Sequence, residues 1–385
     1  MWTPTRRPIL LTVAAASTLL LAACSTGSQP SARDDVATPA ATEAPAATGV
    51  TGTVWVANEG EGTLTAIDAG SGEVLTTVTG VPSPHNVQTS PDGATVWAVS
   101  GHNQALVALD AESYELRGTA PTGTSPAHVV LTPDGSSVYV TNSGEGTLGR
   151  YDAATLAPTG TVDLSAGPHG QRPSADGTVL VVAGTGAGTI DVVDPATLTR
   201  TATIPVGESP VQVAVADDAR TAYVSLAGTS TVAKVDLVGE AVVGAVEVPS
   251  PPVQLFLTPD GASLLSADQG TADAPGDTVT IIDVAIMDVR ATITTGSGPH
   301  GVVVDPSGEV AWVTNLYDDT VSVLDLATNT VTATIPVGDL PNGISFTPRT
   351  GARPESSPAL TVPDYSTGSE DSGHSDTHGD DDHHG

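Results

Sequence analysis

A turn of the Ser-Pro-Asp-Gly kind recurs seven times along the chain, and no other feature restricts the fold so tightly. It is anchored at Pro91, Pro133, Ala175, Asp217, Pro259, Pro306 and Pro348, at intervals of 42, 42, 42, 42, 47 and 42 residues. Seven positions before each anchor stands a proline: Pro84, Pro126, Pro168, Pro210, Pro252, Pro299 and Pro341. Self-similarity at a fixed period of this size marks a repeat architecture in which each unit buries its apolar face against its neighbours. The one long interval carries five additional residues near Asp268 to Asp277, in a Gly-, Ala- and Asp-rich stretch that reads as a loop.

Each unit contains four strands. In the last repeat Val310–Thr314, Thr320–Leu324, Thr330–Pro336 and Gly343–Thr347 alternate apolar and polar residues and are separated by Asp, Asn and Gly turns, the period-two pattern of half-buried strands. Composition agrees: hydrophobic residues are 39% of the chain with only 3% aromatics, alongside 41 Gly and 30 Pro, which suits many short strands of branched aliphatics joined by turns. Four strands in about 40–45 residues is a propeller blade. The predicted fold is therefore all-β, a seven-bladed β-propeller with four antiparallel strands per blade. The array begins near Val54 with the second strand of a blade and ends near Thr347 with a first strand. Ile344–Phe346 should therefore pair beside Thr53–Ala57, closing the ring and removing a free edge.

The repeats resemble the YVTN β-propeller family over residues 52–350. Val138-Tyr139-Val140-Thr141-Asn142 carries the naming motif, Ala311-Trp312-Val313-Thr314-Asn315 nearly repeats it, and Val54-Trp55-Val56-Ala57-Asn58 is a looser copy. The sixth repeat departs, reading Leu264-Leu265-Ser266-Ala267-Asp268. The resemblance implies an exported, extracytoplasmic binding module, on a scaffold that hosts many activities.

Four segments follow. Residues 1–24 read as an export signal, with Arg6 and Arg7 ahead of the apolar run Ile9–Ala23, and are set apart from the fold. The run ends in Leu21-Ala22-Ala23-Cys24, which resembles the bacterial lipobox and marks Cys24, the single cysteine, as the lipidated residue. Thr5-Arg6-Arg7-Pro8-Ile9-Leu10 is also similar to the twin-arginine export pattern. Residues 25–50, rich in Ser, Thr, Ala and Pro, read as a tether. Residues 51–350 form the propeller, and 351–385 an acidic, His-rich tail expected to be disordered. The expected location is the outer face of a bacterial cytoplasmic membrane, held through the lipid on Cys24, with the propeller monomeric. A formal net charge of −32 repels phosphate backbones and argues against nucleic-acid partners.

Candidate chemistry gathers where the repeated prolines start the innermost strands. The next position around the ring reads His85, Ala127, His169, Val211, Val253, His300 and Asn342; the one after reads Asn86, His128, Gly170, Gln212, Gln254, Gly301 and Gly343. His85, His169 and His300 are separated by two, three and two repeats, close to a triangle. Three converging imidazoles would hold zinc or another divalent transition metal, with His128 one position out of phase. Asn86, Gln212, Gln254 and Asn342 would line the mouth with neutral polar groups. The alternative is structural: each imidazole bonds a neighbouring loop carbonyl.

The Pro-His-Gly turns at Pro168-His169-Gly170 and Pro299-His300-Gly301 are also similar to those of streptogramin lyase-like propellers, where histidines and a glutamate surround a magnesium ion. No glutamate can be matched to that role by sequence. Glu59, Glu61 and Glu145 lie in Glu-Gly stretches that read as turns. In the tail His374, His378, His383 and His384 stand among Asp and Glu residues, a mixture that collects divalent metals while its imidazoles are neutral. Three functions follow as alternatives: a metal-binding or metal-handling propeller, a metal-dependent lyase or hydrolase, and a protein-interaction scaffold using the face or rim of the disc. No nucleophile elbow, phosphate-binding loop or cysteine zinc motif stands in its required context.

Overall fold

A computed structural model describes residues 47–367. The export signal, Cys24, most of the tether and the four tail histidines His374, His378, His383 and His384 lie outside the described residues. Among those described, twenty-eight strands form seven four-stranded antiparallel sheets arranged as the blades of a propeller. No described helix is long and apolar enough to cross a membrane.

Blade 1 closes the ring. Its innermost strand is Pro341–Thr347, followed outward by Thr53–Asn58, Thr63–Asp68 and Val74–Thr79. The pairing expected from the sequence is present, with Thr53 opposite Thr347, Val54 opposite Phe346 and Val56 opposite Ile344. The innermost strands of blades 2 to 7 begin at Pro84, Pro126, Pro168, Pro210, Leu255 and Pro299. The strand beside each is the most apolar of its blade: Thr53–Asn58 and Thr95–Ser100 are buried at every position, because both faces of the sheet pack on neighbouring blades. Outermost strands such as Pro158–Asp163 are largely exposed and polar.

Apolar layers fill the gaps between blades. Trp55 packs edge-on against Tyr114, linking blades 1 and 2, with ring centroids 5.6 Å apart. Trp312 of blade 7 stacks on Phe346 of the closing strand at 5.7 Å. The repeated Asp-Gly turns are structural. At Ser90–Thr95, Asp92 accepts from Ser90 Oγ and Ala94 N, while Gly93 takes φ +69°, a conformation that favours glycine.

Two expectations are corrected. The five extra residues of the sixth repeat do not form a loop; they lengthen a hairpin, Ser263–Thr271 with Ala274–Asp283, pairing Gly270 with Pro275 and Thr271 with Ala274. The tail does not leave the fold at 351. Pro358 and Leu360 exchange backbone bonds with Thr79, Tyr114 Oη donates to Ala352 O, and Leu360, Val362 and Tyr365 pack on the layer between blades 1 and 2. These three side chains supply enough apolar surface to hold the segment against the body.

Candidate metal centre at the channel mouth

Every complete innermost strand carries a one-residue bulge just after its proline, as between Pro84 and Asn86, Pro126 and Val129, and Pro299 and Val302. A bulge re-aims side chains, and the two positions after the proline take distinct directions. A Cβ on Gly170 would lie 2.5 Å from Val211 O and 2.4 Å from Gln212 Oε1 in the next blade, and one on Gly301 would lie 2.5 Å from Asn342 O. The second position therefore faces the following blade. Asn86, at this position in blade 2, accepts from Val129 N of blade 3. His128, at this position in blade 3, lies against His169 of blade 4, with ring centroids 4.7 Å apart.

This geometry alters the expected triangle. His85, His128 and His169, from three consecutive blades, place ligand atoms within 4.8 Å of one another. His85 Nε2 and His169 Nε2 stand 3.2 Å apart. His300 is outside that group: its Nδ1 donates to Gln269 Oε1 at 2.8 Å, and Gln269 also donates to Tyr317 Oη. Thus His128, which reads as out of phase, joins the cluster, and His300 bonds Gln269 of blade 6 instead.

The outer nitrogens define the tautomers. His169 Nδ1 donates to Val211 O at 3.1 Å, which leaves its Nε2 with a lone pair. His85 Nδ1 faces Glu59 Oε2 at 3.2 Å, and Asn342 Nδ2 donates to the same oxygen at 2.7 Å. With both Nδ1 atoms donating outward, the two Nε2 lone pairs oppose each other. A cation between them, a proton or a metal ion, relieves that opposition. His128 Nδ1 is buried without a hydrogen-bond partner among the described residues.

Electrostatics keep the cluster receptive. Burial pushes His169 down to about 4, with His85 adding to it. Burial followed by the charges of His169 and His85 holds His128 well below the ordinary imidazole value, and burial takes His300 to about 3. Burial works to raise Glu59, but the bonds from His85 and Asn342 outweigh it and the carboxyl sits below its usual value. Neutral imidazoles beside an ionised carboxylate are the donor states a divalent metal requires.

The expected neutral lining is only partly present. Asn342 reaches the site through Glu59, whereas Asn86 and Gln212 are buried and bond to backbone N–H groups; Gln254 is buried just before the shortened inner strand of blade 6. Glu145 accepts from Thr124 N as part of a turn, and Glu61 contacts Thr63. Glu59, which reads from the sequence as part of a turn, is the carboxylate that the fold brings to His85. Its signal was present: the repeat position equivalent to Glu59 reads Glu59, Gly101, Ser143, Thr185, Ala227, Gln269 and Leu316 around the ring. Only Glu59 and Gln269 are long and polar there, and each precedes a blade with histidine after its proline.

A family model described as YNCE-like beta-propeller matches residues 32–308. No curated protein matches the sequence. Among solved structures, hydrazine synthase of Kuenenia stuttgartiensis is similar at 22% identity and TM-score 0.63, covering 69% of this chain and 90% of that one. A functionally unknown protein from Desulfotomaculum acetoxidans DSM 771 is 13% identical with TM-score 0.67, covering 77% and 99%. A dihydro-heme d1 dehydrogenase is 15% identical with TM-score 0.58, covering 76% and 74%. At these identities the likeness is one of fold.

Proposed function

The chain belongs to the YNCE-like β-propeller family, and from that premise we propose that it is a lipid-anchored, extracytoplasmic propeller that binds a divalent transition metal at its channel mouth. His85, His128 and His169 are the ligands. Glu59 and the Val211 carbonyl hold the first and last of them in the right tautomer from outside, as carboxylates and carbonyls do for metal-bound histidines. The observation that carries this reading is the 3.2 Å between His85 Nε2 and His169 Nε2, close to the ~3.3 Å separating two nitrogens bound at about 2.0 Å to one tetrahedral ion. Three imidazoles suit zinc, copper or nickel.

The acidic tail is the second part of the proposal. Tyr365 N donates to Asn103 O, in the turn that follows Ser100, and Ser100 pairs with Pro84 beside His85. The last described residues therefore leave the body at the His85 end of blade 2. His374, His378, His383 and His384 follow in the sequence, and in this reading metal gathered by the tail passes to the cluster. Equilibrium zinc binding to the full chain, to a chain ending at Thr367, and to the His85→Ala/His128→Ala/His169→Ala variant tests this. The reading requires one equivalent that survives truncation and is lost in the triple variant; retention of it in that variant refutes the centre.

The Glu59–His85 contact favours one further reading, in which that pair moves a proton for a metal-dependent lyase or hydrolase. Turnover of a cyclic ester by the zinc-loaded protein, abolished by Glu59→Gln, would carry it.

A further inference from the structure

The opposite end of the channel holds a cavity of about 520 Å³, within the size range of small-molecule sites. It is lined by the far ends of the innermost strands of six blades and by the turns that follow them. Its chemistry departs from the rest of the chain in two respects. The chain has 44 acidic and 12 basic residues, yet no Asp or Glu lines this cavity and Arg172 does. The chain contains two phenylalanines, and both, Phe256 and Phe346, line it beside Val130, Val303 and Ile344.

Arg172 breaks the repeat. Four residues after the repeated proline the ring reads Gln88, Val130, Arg172, Ala214, Phe256, Val303 and Ser345, so one guanidinium stands in an otherwise uncharged circle. Among the described residues no carboxylate lies within ion-pair distance of it. Its one hydrogen bond is a 3.4 Å contact from Nη1 to the carbonyl of its neighbour Gln171. Burial pushes the guanidinium down to about 10. Arg172 is half-buried in the cavity wall, and a partly desolvated charge with no carboxylate beside it costs free energy that an incoming anion recovers.

We propose that this cavity is a binding site for a small organic monocarboxylate with an apolar body, its carboxylate paired with Arg172 and its body against Phe256, Phe346 and Ile344. The planar fork of arginine matches a carboxylate with two parallel bonds. The surrounding wall of uncharged side chains keeps that pair in low dielectric, and the acidic outer surface favours a ligand of single charge.

Calorimetric titration of the full chain with 4-phenylbutyrate, with its uncharged amide and with inorganic phosphate tests the proposal, in the presence of EDTA so that metal at the other mouth plays no part. The carboxylate binds one to one, and the amide and phosphate each bind at least tenfold more weakly. Arg172→Met lowers carboxylate affinity at least tenfold and leaves the amide unchanged, while Arg172→Lys restores part of the difference. Equal affinity for acid and amide overturns the role of the charge, and phosphate as tight as the carboxylate overturns the role of the phenylalanines. Absence of carboxylate binding up to roughly 10 mM overturns the site altogether. The comparison of ligands uses the native protein, so it stands even if an Arg172 variant fails to fold.

Discussion

Lowering the pH should separate two pools of bound metal. An exposed imidazole titrates near ~6.5, so at pH 5 a proton competes about 30-fold against each tail histidine, and about 1,000-fold against a chelate of two. In the body His169 is held at about 4, and His128 is also well below the ordinary value. At the same pH, proton competition at His169 is only about 1.1-fold. The cause is structural: burial, with His85 adding to it, disfavours the charged ring before any metal arrives and outweighs the Val211 carbonyl, which favours it. Competition with a chromogenic zinc chelator, read at half-unit steps from pH 7.5 to 4.5, should show two releases in the full chain. The first, near pH 6.5, disappears in a chain ending at Thr367; the second, at lower pH, disappears in the triple histidine variant. A single release near pH 6.5 from the truncated chain would refute the argument that burial protects the cluster.

Without metal, the same histidines should make the fold acid-sensitive. Folded values of about 4 for His169 and about 3 for His300, against ~6.5 unfolded, mean that the unfolded chain takes up protons first as pH falls. Their contribution is complete above ~6.5 and declines by about 1.4 kcal/mol per pH unit for each ring as pH drops toward those values; urea midpoints in EDTA measure the slope, and a flat profile from pH 6 to 4.5 contradicts it. Gly170→Ala forces a Cβ within 2.5 Å of Val211 O, so stability should fall by about 1–3 kcal/mol and zinc affinity should fall with it; an unchanged denaturation midpoint would show that the two blades can part at no cost. A chain ending at Arg349 should be about 3 kcal/mol less stable than one ending at Thr367, since it loses the packing of Leu360, Val362 and Tyr365. Superimposable thermal transitions would show that this segment lies on the body without supporting it.

The repeat made the fold legible because each constraint on it is local and recurs seven times. The repeated proline, the turn seven residues on (Asp-Gly in four of the seven) and the period-two strands recur in every unit, so one unit read correctly gives all seven. Closure was readable from the mismatch between the first and last units, and Ile344 stands opposite Val56 as that mismatch required. The lipobox-like stretch ending at Cys24 and the tail's histidines are readable as pattern alone. Even the partners of the histidines were written in the column containing Glu59 and Gln269, although only the fold explains why that column matters.

What the tertiary structure decided is direction. Spacing places His85, His169 and His300 on one circle, but adjacent positions at a bulge point to different neighbours, and a linear pattern does not record which. The second position faces the next blade, so His128 closes with His169, while His300 on blade 7 bonds Gln269 and stays outside the group. Likewise the composition of the tail suggests no folding, yet residues up to Tyr365 are held because the groove between blades 1 and 2 offers them an apolar surface. Sequence periodicity fixes where a residue stands along a strand. Which side chains meet depends on contacts between blades, and those exist only once the ring has closed.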